Sequence, residues 1–252
     1  MREFKAFFTI EFKALMREPV SLFFMIVLPI IFTIVFGGAF GREVTNYGKD
    51  ILGIDTIVPT NVVFLLTNVG LMGVPITIIE LKDQEVLKRY ITYPIKFRTY
   101  FIALISVFAF VGLLSTCIFT VISIIVYGAR WHMGISETLL FLLLYGAMIV
   151  IFDGLGFLIA LLVKGSRTAN MVTSGLFLSL IFTSGVVMPV ESLPVAVQKI
   201  AYIFPMYHCI QIAQYLWISR VNLNEIADNI IYISAITIVF FVLLGRLKVK
   251  WD

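Results

Sequence analysis

Six long apolar runs, each almost free of charged side chains, dominate this 252-residue sequence. They cover residues 20–40, 57–79, 101–127, 139–163, 171–188 and 230–245. A helix needs roughly 20 apolar residues to cross about 30 Å of hydrocarbon. Only 13% of the residues are charged, against about 25% in a soluble domain. The sequence therefore predicts an all-α membrane protein with six transmembrane helices. No repeat or Gly/Ser-rich linker divides it, so we expect a single domain over residues 1–252.

The basic residues are distributed unevenly between the segments that connect these runs. If the N-terminus lies inside, the inner segments hold fourteen of the nineteen Lys and Arg residues. Loops that face the cytoplasm carry an excess of Lys and Arg. We therefore expect a multi-pass protein of the plasma (inner) membrane with both termini in the cytoplasm. The net charge of +4 then reflects topology, and no nucleic-acid partner is expected.

Residues 1–19 carry a different, amphipathic pattern. Polar and basic side chains recur at four-residue steps from Lys5 to Arg17, phenylalanines occupy other faces, and Pro19 ends the segment. This spacing predicts an interface helix on the inner membrane surface. Such a helix can be a simple anchor or a lever between a cytoplasmic partner and the first span, and both readings remain open.

A seventh, less apolar segment lies between the fifth and sixth runs. Pro194, Lys199, Pro205 and His208 interrupt it. Broken backbone at membrane depth has to be covered by protein or water. We therefore expect a re-entrant or outer helical hairpin over residues 189–222 rather than another span.

Several kinds of chemistry are excluded by what the sequence lacks. Its one Gly-Lys pair, at residues 48–49, is followed by Asp50, so no phosphate-binding P-loop is present. The two histidines do not form a zinc-protease motif, and the two cysteines lack metal-ligand spacing. One acidic residue, Asp153, lies deep in a span, so an aspartyl-protease dyad is missing. We expect no catalytic residues, no metal and no cofactor in this chain.

Asp153 is the sharpest single-residue signal. An ionised carboxylate near the middle of a span costs about 2.5–3.5 kcal/mol. At helical spacing Gly146, Asp153, Gly156 and Ala160 share a small-residue face that would let another helix approach closely. Asp153 can be a neutral packing residue, a proton or cation site in a transport path, or part of a dimer contact.

Polar residues also lie within the second and fifth runs. Asn61 and Asn68 are seven residues apart on one helical face, and Ser179 and Thr183 are four apart. Polar side chains inside a bilayer face other helices or an aqueous cavity. These four residues are candidates for a translocation pathway, with hydrogen bonding between helices as the alternative.

Two segments resemble the permeases of type-2 ABC transporters. Residues 80–104 read ELKDQEVLKRYITYPIKFRTYFIAL, similar to the family's loop after the second span. Leu87, Arg89, Ile91 and Pro94 occupy the family's positions, although Glu85-Val86 replaces the usual Gly-Thr. Residues 184–217 read SGVVMPVESLPVAVQKIAYIFPMYHCIQIAQYLW, with the family's Ser-Gly and three spaced prolines. Together with the interface helix and the six runs, the resemblance covers essentially the whole chain.

The resemblance implies a half-transporter without its own ATPase site, and so not an enzyme. Two copies, or this chain and a related one, would pair in lipid with two ABC ATPase subunits and export a drug, lipid, polysaccharide or other amphiphile. The first, second and fifth spans would line the path between the subunits. The loop 80–98 and the interface helix would couple to the ATPase, with a second contact at 164–170, and the hairpin would form the outer gate. The implied coupling residues are Glu80, Lys82, Asp83, Glu85, Lys88, Arg89 and Pro94, and the implied gate residues are Pro189, Pro194 and Pro205.

Two other classes of function remain as alternatives. An ion-coupled secondary transporter would use Asp153 and act without an ATPase, but inverted repeats or paired broken helices, which that class favours, are not evident. A membrane scaffold without transport is the other. A partner with a P-loop ATPase domain would separate the exporter from both.

Overall fold

The computed structural model describes residues 2–45, 47–83, 97–220 and 223–246. This part of the chain is almost entirely helical. A two-stranded antiparallel hairpin, β1 (Val44–Thr45) and β2 (Gly48–Leu52), joins α2 to α3, and a single 3-10 turn covers Val190–Ser192. The helices are α1 (Arg2–Leu15), α2 (Pro19–Phe40), α3 (Gly53–Asp83), α4 (Phe97–Tyr127), α5 (Ile135–Leu162), α6 (Ser166–Thr183), α7 (Val195–Ala201), α8 (Pro205–Trp217) and α9 (Leu223–Arg246).

Five of these helices, α2, α3, α4, α5 and α9, are long and apolar enough to cross a membrane. The predicted all-α membrane fold is therefore confirmed. The fifth apolar run, expected at 171–188, belongs to α6, which begins at Ser166 and ends at Thr183. Its first turn is polar, reading Ser-Arg-Thr-Ala-Asn, so α6 is not among the five. The second run is longer than expected, because α3 begins at Gly53 and continues to Asp83.

The long helices run alternately between two ends of the molecule. At the α1 end, the Phe7 ring of α1 meets the Tyr100 ring of α4 edge to face, with centroids 5.4 Å apart. At the opposite end, which we call the hairpin end after β1 and β2, the Tyr127 hydroxyl of α4 donates a 2.9 Å hydrogen bond to the carbonyl of Ile34 in α2. The helices α7 and α8 lie at the hairpin end, where α8 packs against α3, α5 and α9.

The helix α3 forms the centre of the core. In its most apolar stretch 78% of the residues are buried, against 22% in α2 and 11% in α9. It contacts α2, α4, α5, α6 and α8, and a helix that is apolar on all sides suits such a position. The less buried helices expose large apolar side chains, which suits contact with lipid or with another subunit.

Small residues bring α3 and α5 together in the middle of the molecule. A methyl group at Gly156 would lie 1.9 Å from the Gly70 carbonyl oxygen, and one at Gly70 would lie 2.5 Å from the carbonyl carbon of Phe152. No side chain fits at either position. A π-helical turn covers Val69–Gly73 at this contact. The predicted small-residue face is confirmed at Gly156, whereas at Gly146 an added methyl group would meet nothing within 4 Å in the described part of this chain.

The helix α1 has the expected amphipathic character. Lys5 and Lys13 are exposed, whereas Phe7 is buried. Phe8 and Phe12 both meet the Phe110 ring of α4, with centroids 6.2 and 6.0 Å apart. Aromatic contacts therefore hold α1 against the bundle.

Candidate functional site

A cavity of about 1070 Å³ lies at the hairpin end. It is bordered by α2, by the first half of α3, by α8 and by the segment that follows α6. Four phenylalanines from α2 and α3 form one wall. Phe32 and Phe64 have ring centroids 4.4 Å apart, and Phe36 and Phe40 continue this wall at 5.3 and 6.3 Å spacing along α2. One side of the cavity is therefore aromatic.

A polar strip lies where α8 meets α3 and the β-hairpin. The Gln214 amide nitrogen donates a 2.9 Å hydrogen bond to the Thr60 hydroxyl. The Tyr47 hydroxyl donates at 3.2 Å to the Gln214 side-chain oxygen. All three side chains line the cavity, so these bonds define its polar surface and join three elements.

Asn61 joins this strip to α2. Its side-chain nitrogen donates to the Pro29 carbonyl at 2.8 Å and to the Thr33 hydroxyl at 2.9 Å. Its side-chain oxygen is buried, as is the Ser184 hydroxyl, and neither has a hydrogen-bond partner within the described part of the chain. Both residues line the cavity, but these two oxygens are themselves shielded from it.

The other predicted pathway residues lie elsewhere. Asn68 is buried two turns further along α3, where its amide nitrogen lies 3.6 Å from the Met72 sulfur. On α6 the hydroxyls of Ser179 and Thr183 donate back to carbonyls of their own helix, at 2.8 Å each. Ser179 is exposed on the surface of the chain. One chain thus brings Asn61 to the cavity but not Asn68, Ser179 or Thr183.

Charged residues surround the mouth of the cavity. Glu43, Glu191 and Glu225 line it and are exposed, as is Arg220. The Tyr215 hydroxyl donates a 2.8 Å hydrogen bond to Glu225. Burial, followed by this bond, raises the pKa of Tyr215 to about 12. The mouth is therefore acidic and is bordered by tyrosine that stays neutral at physiological pH.

The three predicted gate prolines all stand at helix starts, and Pro189 lines the cavity. Pro189 precedes the 3-10 turn and Pro194 precedes α7. Pro205 is the first residue of α8. Proline fits these positions because a helix start has no intrahelical acceptor for its N–H group. The prolines thus mark the starts of the 3-10 turn, α7 and α8, of which the 3-10 turn and α8 border the cavity.

At the α1 end, the predicted coupling elements contact each other. Asp83, the last residue of α3, accepts hydrogen bonds from the Ser166 hydroxyl at 2.7 Å and from its backbone N–H at 3.3 Å. Lys82 reaches the Ala160 carbonyl at 3.5 Å, and Glu80 is exposed. The remaining coupling residues, Glu85, Lys88, Arg89 and Pro94, lie outside the described residues. The end of α3 therefore caps the start of α6.

Asp153 lies within the helix bundle, with a residual exposure of 3%. It is next to the contact of α5 with Gly70, because a methyl group at Gly70 would lie 2.8 Å from its backbone nitrogen. Among the described residues none was found to donate a hydrogen bond to its carboxylate. Within the same described ranges there is also no group of three or more His, Cys, Asp or Glu residues that could hold a metal.

Asp55 is a buried acid that the sequence analysis missed. It accepts the backbone N–H groups of Arg130 and Leu52, at 2.8 and 3.1 Å, and its carboxylate lies 3.4 Å from the His132 ring nitrogen. These contacts fasten the start of α3 to the segment between α4 and α5. The missed signal is an acidic residue in the first turn of a helix, where it complements the helix dipole.

Comparison with known proteins assigns this architecture to a family. The model of the ABC-2 type transporter family matches residues 2–217, which include α1, the cavity-lining helices and both predicted coupling elements. No curated protein matches the chain. Members of this family are generally non-catalytic membrane subunits that dimerise and work with an ATPase partner. The chain therefore belongs to the ABC-2 type transporter family and is the transmembrane subunit of an ABC transporter.

Proposed function

We propose that this chain is the permease of an ATP-driven exporter for a drug, a lipid or another amphiphile. The observation that supports the proposal is the cavity at the hairpin end. Its phenylalanine wall suits an apolar group, and its polar strip around Thr60 and Gln214 suits a polar one. A pocket with apolar walls and a few placed polar groups is the usual form of a small-molecule site.

The proposal includes six spans, with α6 as the fifth. At about 1.5 Å per residue its 18 residues reach about 27 Å, close to the hydrocarbon thickness of about 30 Å. Both termini then lie in the cytoplasm, with the hairpin end outside, as the excess of basic residues in the inner segments favours. The segment 189–222 is then the outer, partly re-entrant gate.

A second subunit gives the pathway residues of α6 a role. Ser179 is exposed in one chain, between Leu178 and Phe182, which are 53% and 57% exposed. A dimer, formed by two copies or with a related chain, would cover this face. Ser179 and Thr183 would then border a path between the subunits.

Coupling to two ATPase subunits would use the α1 end. The bond between Asp83 and Ser166 ties the loop 80–98 to the loop 164–170, so the two cytoplasmic contacts would move together. The exposed basic side chains of α1 would add a third contact. The helix α1 would then act as a lever between the ATPase and the first span.

The test is purification of the tagged protein in mild detergent, identification of its partners and an ATPase assay. We expect a P-loop ATPase in equal amount and two permease chains per complex. Charge reversal at Lys88 and Arg89 should lower ATP-driven transport or detach the ATPase, whereas Arg246→Glu, at the same end but outside the coupling elements, should not. Transport by the chain alone, driven by an ion gradient, would contradict the proposal and favour Asp153 as an ion site.

A further inference from the structure

We infer that the cavity at the hairpin end binds lipophilic organic cations, with the positive charge at its acidic mouth and the apolar part against the phenylalanine wall. That the exported substrate is such a cation rests on the proposed function. Binding of the cation, by contrast, involves this chain alone.

The charge of the mouth selects the sign of the ligand. Glu43, Glu191 and Glu225 line it, and among the described lining residues Arg220 is the one basic side chain. The Arg220 guanidinium lies against Gly48, where an added methyl group would be 2.7 Å from it. A surplus of carboxylates in a partly enclosed site concentrates cations and repels anions.

The tyrosines at the mouth add a second preference for cations. The rings of Tyr47 and Tyr215 meet edge to face, with centroids 5.6 Å apart. Burial raises the pKa of Tyr47, and the charges of Glu191 and Glu225 raise it further. The negative charges of both glutamates therefore favour a cation in the space beside the Tyr47 ring. Aromatic faces attract cations, and aromatic groups beside carboxylates are a common site for ammonium ligands.

The inner part of the cavity fixes the rest of the ligand. Its wall of four phenylalanines favours aromatic or branched apolar groups. Asn61 and Ser184, which are 4% and 0% exposed, each have a buried oxygen without a partner among the described residues. Both oxygens are shielded from the open space of the cavity, so contact with the rest of the ligand comes from the phenylalanine wall. The volume of about 1070 Å³ slightly exceeds the range of about 300–1,000 Å³ for small-molecule pockets, so a drug-sized cation fits better than a polymer.

The test compares two ions of the same shape and opposite charge. The full chain in zwitterionic nanodiscs is dialysed against radiolabelled tetraphenylphosphonium or tetraphenylborate, and binding to empty nanodiscs is subtracted. We expect saturable binding of the phosphonium alone, weakening as ionic strength rises. Saturable binding of both ions, or of the borate alone, would overturn the inference.

A double variant tests the carboxylates. Glu191→Gln with Glu225→Gln should weaken phosphonium binding about tenfold, which corresponds to about 1.4 kcal/mol. The control, Glu137→Gln with Asp228→Asn, removes one half-buried and one exposed charge that do not line the cavity and should leave binding unchanged. Equal effects of the two double variants would overturn the inference, and the salt dependence of the unaltered protein tests it even if the first variant fails to fold.

The two proposals can fail separately. Absence of phosphonium binding, in a chain that still purifies with an ATPase, would overturn the cation site and leave the exporter. Selective phosphonium binding without any ATPase partner would support the cation site and contradict the exporter.

Discussion

Replacing Gly156 by alanine should be among the most destabilising single changes in this protein. The new methyl group would lie 1.9 Å from the Gly70 carbonyl oxygen, whereas ordinary contact begins at 3.4 Å. The obstacle is backbone on a neighbouring helix, which cannot rotate away as a side chain can. Overpacking of a core costs about 1–3 kcal/mol, and we expect the upper end of that range here.

Gly146→Ala is the matched control. Gly146 lies on the same helix, and a methyl group there would meet nothing within 4 Å. Alanine is favoured over glycine inside a helix by about 0.8–1.0 kcal/mol, so this variant should be neutral or slightly stabilised. The two variants therefore make the same chemical change with opposite expected effects.

Thermal unfolding in mild detergent, followed by size-exclusion chromatography after heating, measures the difference. A loss of about 3 kcal/mol corresponds to a Tm lower by about 6–12 °C for a chain of this size. Equal melting temperatures for Gly156→Ala and Gly146→Ala would refute the reasoning, because α3 and α5 would then not be in backbone contact at this point.

Variants at four further residues test other contacts. Asp55→Ala should lower the free energy of unfolding by about 2–5 kcal/mol, because two backbone N–H groups lose their acceptor. Asp55→Asn should lower it less, and the Tm of each variant measures the effect. Asp83→Ala should cost about 1 kcal/mol by removing the cap of α6 and should lower transport per ATP hydrolysed in the purified complex. Burial raises the pKa of Glu11, and the Tyr100 hydroxyl partly offsets the rise. The folded state therefore binds a proton at Glu11 more tightly than the unfolded state does. The free energy of unfolding should then rise as the pH falls through the folded-state pKa of Glu11. Glu11→Gln should reduce the resulting dependence of Tm on pH, measured between about pH 7.5 and 5. Asp153→Asn should keep transport if the residue is a neutral packing group, whereas loss of transport at normal expression would indicate an ion site.

The helices could be predicted because apolar length is a local property of the sequence. The run at 139–163 became α5 with only small shifts at its ends. Helix starts depended instead on distant partners. Asp55 was placed outside the second span because its charge counted against a membrane helix, whereas the N–H groups of Arg130 and Leu52 compensate that charge.

The site was less predictable, because it too depends on residues that are distant in the sequence. Polarity within a run identified Asn61, which does line the cavity. The same criterion cannot separate it from Ser179, whose hydroxyl is satisfied by its own helix. The cavity itself combines side chains from α2, the β-hairpin, α3, the segment after α6, α8 and α9. Spacing along one run contains no information about how those segments pack.

The helix α3 connects the two regions that the exporter proposal requires. Its first half, up to Phe64, borders the cavity, and its last residue, Asp83, binds the start of α6 at the opposite end. Between them lies the π-helical turn Val69–Gly73, at the contact with Gly156. Such a turn breaks the regular hydrogen-bond ladder of a helix and is frequent at functional sites. In the exporter proposal, a displacement that an ATPase imposes at Asp83 reaches the cavity along α3 through this turn, at the point where the backbone of α3 contacts α5.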